Sequence, residues 1–294
     1  MTGLIVNADD LGIHPEIDRG IFEAYRAGIL SSATLLMTAG HEARAVKLAK
    51  ANGLPVGIHL SLTLGRARAP ICEIPDLTDS KGYFIRSPMH FLTRPERVPG
   101  LVPQIAREFT AQLAAAADLG LRATHIDSHQ HVHMHPVLFA IAEATATHFG
   151  IRHVRRVQEP FYRFELYSNI WPALQRRNHL KWLLLRRLNR KLAPHLSTPR
   201  RFFGVKYSGI FTASVLKAVL SQGTAGGALE IGVHPGFPIA PQSLVCRGRR
   251  YDQFIESSWR RKELMALCDP ALPSLIERLG FVLTSFDGVP KGKH

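Results

Sequence analysis

Short apolar runs alternate with amphipathic stretches along the first third of the chain. Residues 4–7 read as a strand and 16–28 as a helix; 32–37 then read as a strand, 41–52 as a helix and 56–62 as a strand. Further on, 101–119 carries a helical pattern, 123–127 a strand, 136–149 a helix and 153–157 a strand. Residues 230–234 and 280–284 read as strands, with helices over 251–267 and 270–279 between them. Six or seven strands separated by helices in a chain of 294 residues predict a parallel α/β barrel or an open doubly wound sheet. No internal repeat interrupts the order.

Two segments break the rhythm. Residues 66–103 are rich in proline and turn formers and read as a long loop excursion. Residues 160–204 form a basic, aromatic insertion in what is otherwise one domain spanning 1–294. Within it, 180–192 is an amphipathic run in which Leu183, Leu184, Leu185, Leu188 and Leu192 interleave with Lys181, Arg186, Arg187, Arg190 and Lys191. Such a run can lie at an anionic membrane surface, or pack as an ordinary surface helix.

Composition narrows the class. With 46% hydrophobic and 20% charged residues the chain is globular, not disordered. It has no apolar run of about 18 residues, and it opens on Leu4-Ile5-Val6 instead of a basic stretch with a long apolar region, so we expect it neither to span a membrane nor to be secreted. Cys72, Cys246 and Cys268 are scattered, which fits a reducing cytoplasm, with peripheral contact at the inner membrane face left to the basic insertion. The net charge of +14 raises nucleic acid as a partner, since Phe161, Tyr162, Phe164, Tyr167 and Trp171 interleave with basic residues. Nucleic-acid binding, however, has no use for the acid and histidine residues described next, and we expect none.

In a parallel barrel the carboxyl ends of the strands face one common site. Asn7, Asp9 and Asp10 follow the first strand, His59 the third, Asp127, Ser128, His129, His131 and His133 the next, and His234 another. Two adjacent carboxylates at a buried strand end repel unless a cation or proton intervenes. A divalent ion resolves this, with one carboxylate and two imidazoles as ligands and the other carboxylate left to take a proton. Five of the 15 histidines fall within 125–135; on an extended chain His129, His131 and His133 would face one way, and one or two of them could reach a single ion.

The strings Ile5-Val6-Asn7-Ala8-Asp9-Asp10-Leu11-Gly12, Gly57-Ile58-His59-Leu60, Thr124-His125-Ile126-Asp127-Ser128-His129-Gln130-His131-Val132-His133 and Glu230-Ile231-Gly232-Val233-His234-Pro235-Gly236 together resemble the YdjC-like carbohydrate deacetylases, in order and spacing. Length, the Ile74-Pro75-Asp76-Leu77 stretch and the basic insertion are similar to the hopanoid-biosynthesis branch. The resemblance implies a deformed (β/α) barrel of the polysaccharide-deacetylase type. It implies Asp10, His59 and His129 as metal ligands, Asp9 as the base and His234 as the catalytic acid. Leu11 departs from the family, where many members have Phe.

The activity so implied is hydrolysis of an N-acetyl group on a sugar, lipid-linked in the hopanoid branch, with a soluble chitooligosaccharide as the alternative acceptor. Asn7, Asp127, His131, His133 and Arg155 are expected to meet substrate. The metal is magnesium by resemblance, and zinc, cobalt or manganese by ligand type. The resemblance also admits a homodimer. A metal-dependent phosphoesterase could use the same ligands, but would need two ions where one is expected.

Overall fold

The long first strand, β1 (Thr2–Leu11), buries Leu4, Val6 and Ala8 on one face and Ile5 and Asn7 on the other, as a strand covered on both sides requires. The computed structural model describes residues 2–161, 172–196, 201–222, 228–240, 253–288 and 290–291. After β1 come α1 (Pro15–Ala27), β2 (Ser32–Leu35), α2 (Glu42–Asn52), β3 (Val56–Leu60), α3 (Pro88–Thr93), α4 (Leu101–Asp118), β4 (Ile126–Ser128) and α5 (Pro136–His148). There follow α6 (Pro172–Asn189), β5 (Arg201–Phe203), α7 (Ala213–Gln222), β6 (Leu229–Val233), α8 (Trp259–Leu267), α9 (Leu272–Arg278) and β7 (Phe281–Leu283).

The seven strands pair in parallel in the order β4-β3-β2-β1-β6-β5, and β7 pairs with the start of β1. The open edges are joined by 153–158: the Ile126 N–H donates to His153, the Arg155 N–H donates to Ile126, and the Phe202 N–H donates to Gln158. The result is a deformed parallel barrel with helices outside it. The strand expected over 153–157 therefore contributes an isolated bridge at Val154 in place of a regular ladder, because its neighbours on the two sides are themselves only three residues long.

Local sequence explains the element ends that shape the mouth. Pro15 opens α1 after His14, whose Nδ1 accepts the Glu16 N–H, and Ile17, Ile21, Phe22 and Tyr25 bury one stripe of the helix. Each such side chain contributes about 1.5–3 kcal/mol.

The excursion over 66–103 is more ordered than its composition suggests. It holds α3 and two antiparallel bridges, and buries Ile74, Leu77, Phe84 and Phe91 completely or nearly so. Strand β5 and helix α7 were not anticipated. The helix expected over 251–267 begins later, at Trp259, preceded by a 3-10 turn at Gln253–Glu256.

The amphipathic run lies in α6 as far as Asn189, and the helix turns Trp182, Leu185 and Leu188 into the core while Leu180 and Leu183 stay 67% and 46% exposed. Tyr162, Phe164, Tyr167 and Trp171, like Cys246, lie outside the described residues. Among the described residues, no helix is long and apolar enough to cross a membrane.

Candidate active site

Adjacent residues on a regular strand point to opposite faces, so Asp9 and Asp10 can share a site only if β1 is irregular there. It is. The register with β2 slips between Ala8 and Leu11, and Asp10 adopts a left-handed backbone with φ of 71°. This bulge turns both carboxylates inward, 3% and 1% exposed, at a backbone cost of order 1–3 kcal/mol.

Register also sets the next pair. His59 on β3 lies opposite Asp127 on β4, and its Nδ1 is 2.6 Å from Asp127 Oδ1. That bond orients the ring and directs Nε2 at Asp10 Oδ1, 3.7 Å away. His129, just beyond β4, brings Nδ1 to 3.3 Å from the same oxygen.

Asp10 Oδ1 is buried and accepts no hydrogen bond, while one ligand atom each from Asp10, His59 and His129 lie within 4.8 Å of one another. The donor chemistry fits a divalent ion. Burial opposes a charge on His59, yet Asp127, Asp9 and Asp10 push its imidazole up to about 9, so the cluster draws a positive charge that an ion at Nε2 would supply in place of the proton. A second set, Asp9, His59 and Asp127, shares His59 with the first, and both of its carboxylates already pair with Arg155. The described residues thus offer room for one ion.

Arg155 is fully buried and organises the floor of the site. Its Nη1 and Nη2 donate to Asp9 Oδ2 and Oδ1, both at 2.9 Å; Nη1 also lies 2.6 Å from Asp127 Oδ2, and Nε donates to Glu230 at 2.5 Å. The fork grips Asp9 with both oxygens in a fixed plane. Although burial opposes its charge, Arg155, His59 and His234 hold Asp9 far below the ordinary carboxylate range. Burial likewise opposes the charge of Asp10, which Arg260 and His129 hold well below that range. Burial pushes Glu230 up to about 7 despite Arg155. The buried carboxylates Asp9, Asp10 and Asp127, with Glu230 beside them, thus face two guanidinium groups, Arg155 and Arg260, and a divalent cation would offset the negative charge left over.

Opposite Asp9, His234 follows β6 with Nε2 3.9 Å from Asp9 Oδ2. Burial, against the pull of Asp9 and Asp10, pushes it down to about 4, so the ring is neutral at rest near pH 7. Its backbone N–H donates to Glu263 Oε2 at 2.6 Å. The site therefore combines a cation cluster, a clamped carboxylate and a neutral imidazole around one space at the strand ends, as hydrolysis by an activated water requires.

The sequence pattern of the YdjC-like protein family matches residues 3–278. This chain belongs to the YdjC-like family. A carbohydrate deacetylase of Geobacillus stearothermophilus is 31% identical over 96% of this chain and 96% of its own length. A chitooligosaccharide deacetylase of Yersinia enterocolitica is 32% identical over 96% of this chain and 97% of its own length. The crystal structure of a candidate cellobiose-phosphate cleavage protein from Enterococcus faecalis V583 shares the fold with a TM-score of 0.71, at 24% identity over 97% of this chain and 98% of that one.

In this YdjC-like chain several residues expected to meet substrate are packed inside the site. Asn7 donates to Asp9 Oδ1 at 3.0 Å, Asp127 orients His59, and Arg155 clamps Asp9. His133 accepts from the Ser128 hydroxyl at Nδ1 and donates from Nε2 to the Arg155 carbonyl at 2.8 Å. All four are fully buried.

The histidine block is not extended. It coils through a 3-10 segment, His129–Met134, with Gln130 and His131 left-handed at φ 58° and 59°, so its imidazoles diverge. His129 faces Asp10, His131 meets the edge of Phe202 with ring centroids 5.8 Å apart, and His133 turns beneath Arg155.

Besides Glu230, on which Arg155 Nε rests, Thr34, Arg260 and Glu263 escape the sequence reading. Thr34 on β2 donates to Asp127 Oδ2 at 3.1 Å, and Arg260 and Glu263 on α8 reach Asp10 and His234. For Arg260 a signal exists: Arg260, Arg261 and Lys262 crowd the first turn of α8, where the helix dipole disfavours cations.

Proposed function

We propose that this chain hydrolyses the N-acetyl group of an N-acetylated sugar, with one divalent ion held by Asp10, His59 and His129. The carrying observation is the cluster itself, a carboxylate oxygen without a hydrogen bond facing two imidazoles, set beside a second carboxylate clamped by Arg155. The names of the Geobacillus and Yersinia relatives support the reaction class. Two imidazoles with one carboxylate suit zinc, cobalt or manganese, and family resemblance adds magnesium.

When bound, the ion lowers the pKa of a water and polarises the acetyl carbonyl. Asp9, aimed by the Arg155 fork and by Asn7, is the group placed to take the proton of the attacking water. His234, neutral at rest, accepts this proton across the short gap from Asp9 and delivers it to the leaving nitrogen, so no imidazolium need be present beforehand. Acetate and a primary amine result, and the site ends in the charge state in which it began.

For the acceptor we propose a lipid-linked sugar of the hopanoid type, brought to the mouth from an anionic membrane. Branch resemblance supports it. So does the outward face of α6, where exposed Leu180 and Leu183 lie among exposed Arg176, Arg177 and Arg187 on a helix without an acidic residue. The test is acetate release from glycolipids in anionic vesicles against soluble chitooligosaccharides. The lipid acceptor predicts faster release from the vesicles, declining as salt rises; faster release from the soluble sugars, insensitive to vesicles, makes the chain a soluble-sugar deacetylase.

A further inference from the structure

Arg260 and Glu263 stand one helical turn apart on α8, 1% and 0% exposed, and reach the two halves of the site. Arg260 Nη2 donates to Asp10 Oδ2 at 2.5 Å, and Glu263 Oε2 accepts the His234 N–H at 2.6 Å. The same turn is tied to the loop after β6, because the Gly236 N–H donates to the Arg260 carbonyl at 3.2 Å. That loop in turn lies so close to α1 that a Cβ on Gly20 would come within 2.6 Å of Gly236 Cα. Helix, loop and barrel wall are therefore keyed together at this point.

The geometry at Asp10 gives this contact a purpose. A left-handed aspartate is intrinsically unfavourable and has to be held. By taking Oδ2, Arg260 leaves Oδ1 directed at His59 and His129, at 3.7 and 3.3 Å. One oxygen is thus reserved for the ion and the other for the guanidinium.

We propose that the first two turns of α8 are the positioning element of the active site: Arg260 fixes how Asp10 presents its oxygen to the metal, and Glu263 fixes where His234 stands. This rests on the metal assignment above. The two ways in which Arg260 could act predict opposite signs. As a bare positive charge near the ion it would weaken metal binding, and its removal would tighten it. As a positioning group, its removal loosens a ligand and weakens binding, by the 10–100-fold typical of lost outer partners.

The experiment is a titration of the metal-stripped full chain with zinc ion alone, by calorimetry, for wild type, Arg260→Met, Arg260→Lys, Glu263→Ala and Glu263→Gln. The proposal expects Arg260→Met to bind zinc at least tenfold more weakly, and Arg260→Lys to fall between the two because an ammonium keeps the charge without the reach of the fork. Glu263→Ala should bind zinc as wild type does, yet lose about tenfold to a hundredfold in kcat with little change in KM, since a displaced His234 affects proton delivery more than binding. Glu263→Gln should recover most of that kcat, its amide oxygen accepting the same N–H. Equal or tighter zinc binding by Arg260→Met overturns the role of Arg260. If that variant does not fold, wild-type affinity in Arg260→Lys overturns it instead. Unchanged kcat in Glu263→Ala overturns the role of Glu263. A wild-type chain that takes up no zinc, cobalt, manganese or magnesium removes the site reading itself, a result distinct from these.

Discussion

Asp9→Asn is expected to keep its metal ion and lose about 10²–10⁴-fold in kcat, the usual contribution of a positioned base. The amide has the shape of the carboxylate but cannot accept the water's proton. Because His234 is neutral at rest and takes its proton from Asp9, both halves of the reaction fail together. The fold should survive, since Arg155 keeps Asp127 and Glu230 as partners. Metal content by elemental analysis and acetate release on the same preparation check the two parts. Asp9→Asn turning over within threefold of wild type would remove Asp9 as the base.

Asp10→Ala, His59→Ala and His129→Ala are each expected to lose the ion, with an affinity loss exceeding the 10–100-fold typical of outer partners. Each removes one of the three ligands proposed for the ion. Asp10→Ala should also be the least stable of the three, because it leaves the buried Arg260 guanidinium without its carboxylate. His131→Ala is the control: its ring packs on Phe202, away from Asp10, and that variant should retain the ion. Equilibrium dialysis measures all four. Full occupancy in any of the three ligand variants would take that residue out of the metal set.

The strand ends were legible in the sequence for a physical reason. In a parallel barrel every apolar run delivers its following residues to one rim, so Asp9, Asp10, His59, Asp127, His129 and His234 declare themselves by position alone. Their inward direction was legible only in part. The bulge that turns Asp10 beside Asp9, and the left-handed pair Gln130 and His131 that spreads the histidine block, depend on tertiary packing and leave no periodic trace. Arg155 and Asp127 look from the sequence like substrate contacts because they are polar and near the motifs. Their complete burial is set by partners far along the chain, Asp9 and Glu230 for the one and His59 for the other. Arg260 stands beside the exposed Arg261, and only its place in the first turn of α8 sets it apart in the sequence; strand β5 was hidden behind the basic stretch before it. The ordered excursion over 66–103 shows the same limit: its prolines and turn residues are evident, whereas the core that Phe84 and Phe91 enter is not.

The central claim is that one bound ion and these side chains release acetate from an N-acetylated sugar. Its most direct test measures acetate and free amine together, from an N-acetylglucosamine-bearing substrate, before chelation, after chelation and after stepwise return of the ion. The account predicts equal amounts of the two products, loss of both on chelation, and recovery that saturates at one ion per chain. Acetate release that persists unchanged in the chelated protein, or recovery that requires a second ion, would contradict it.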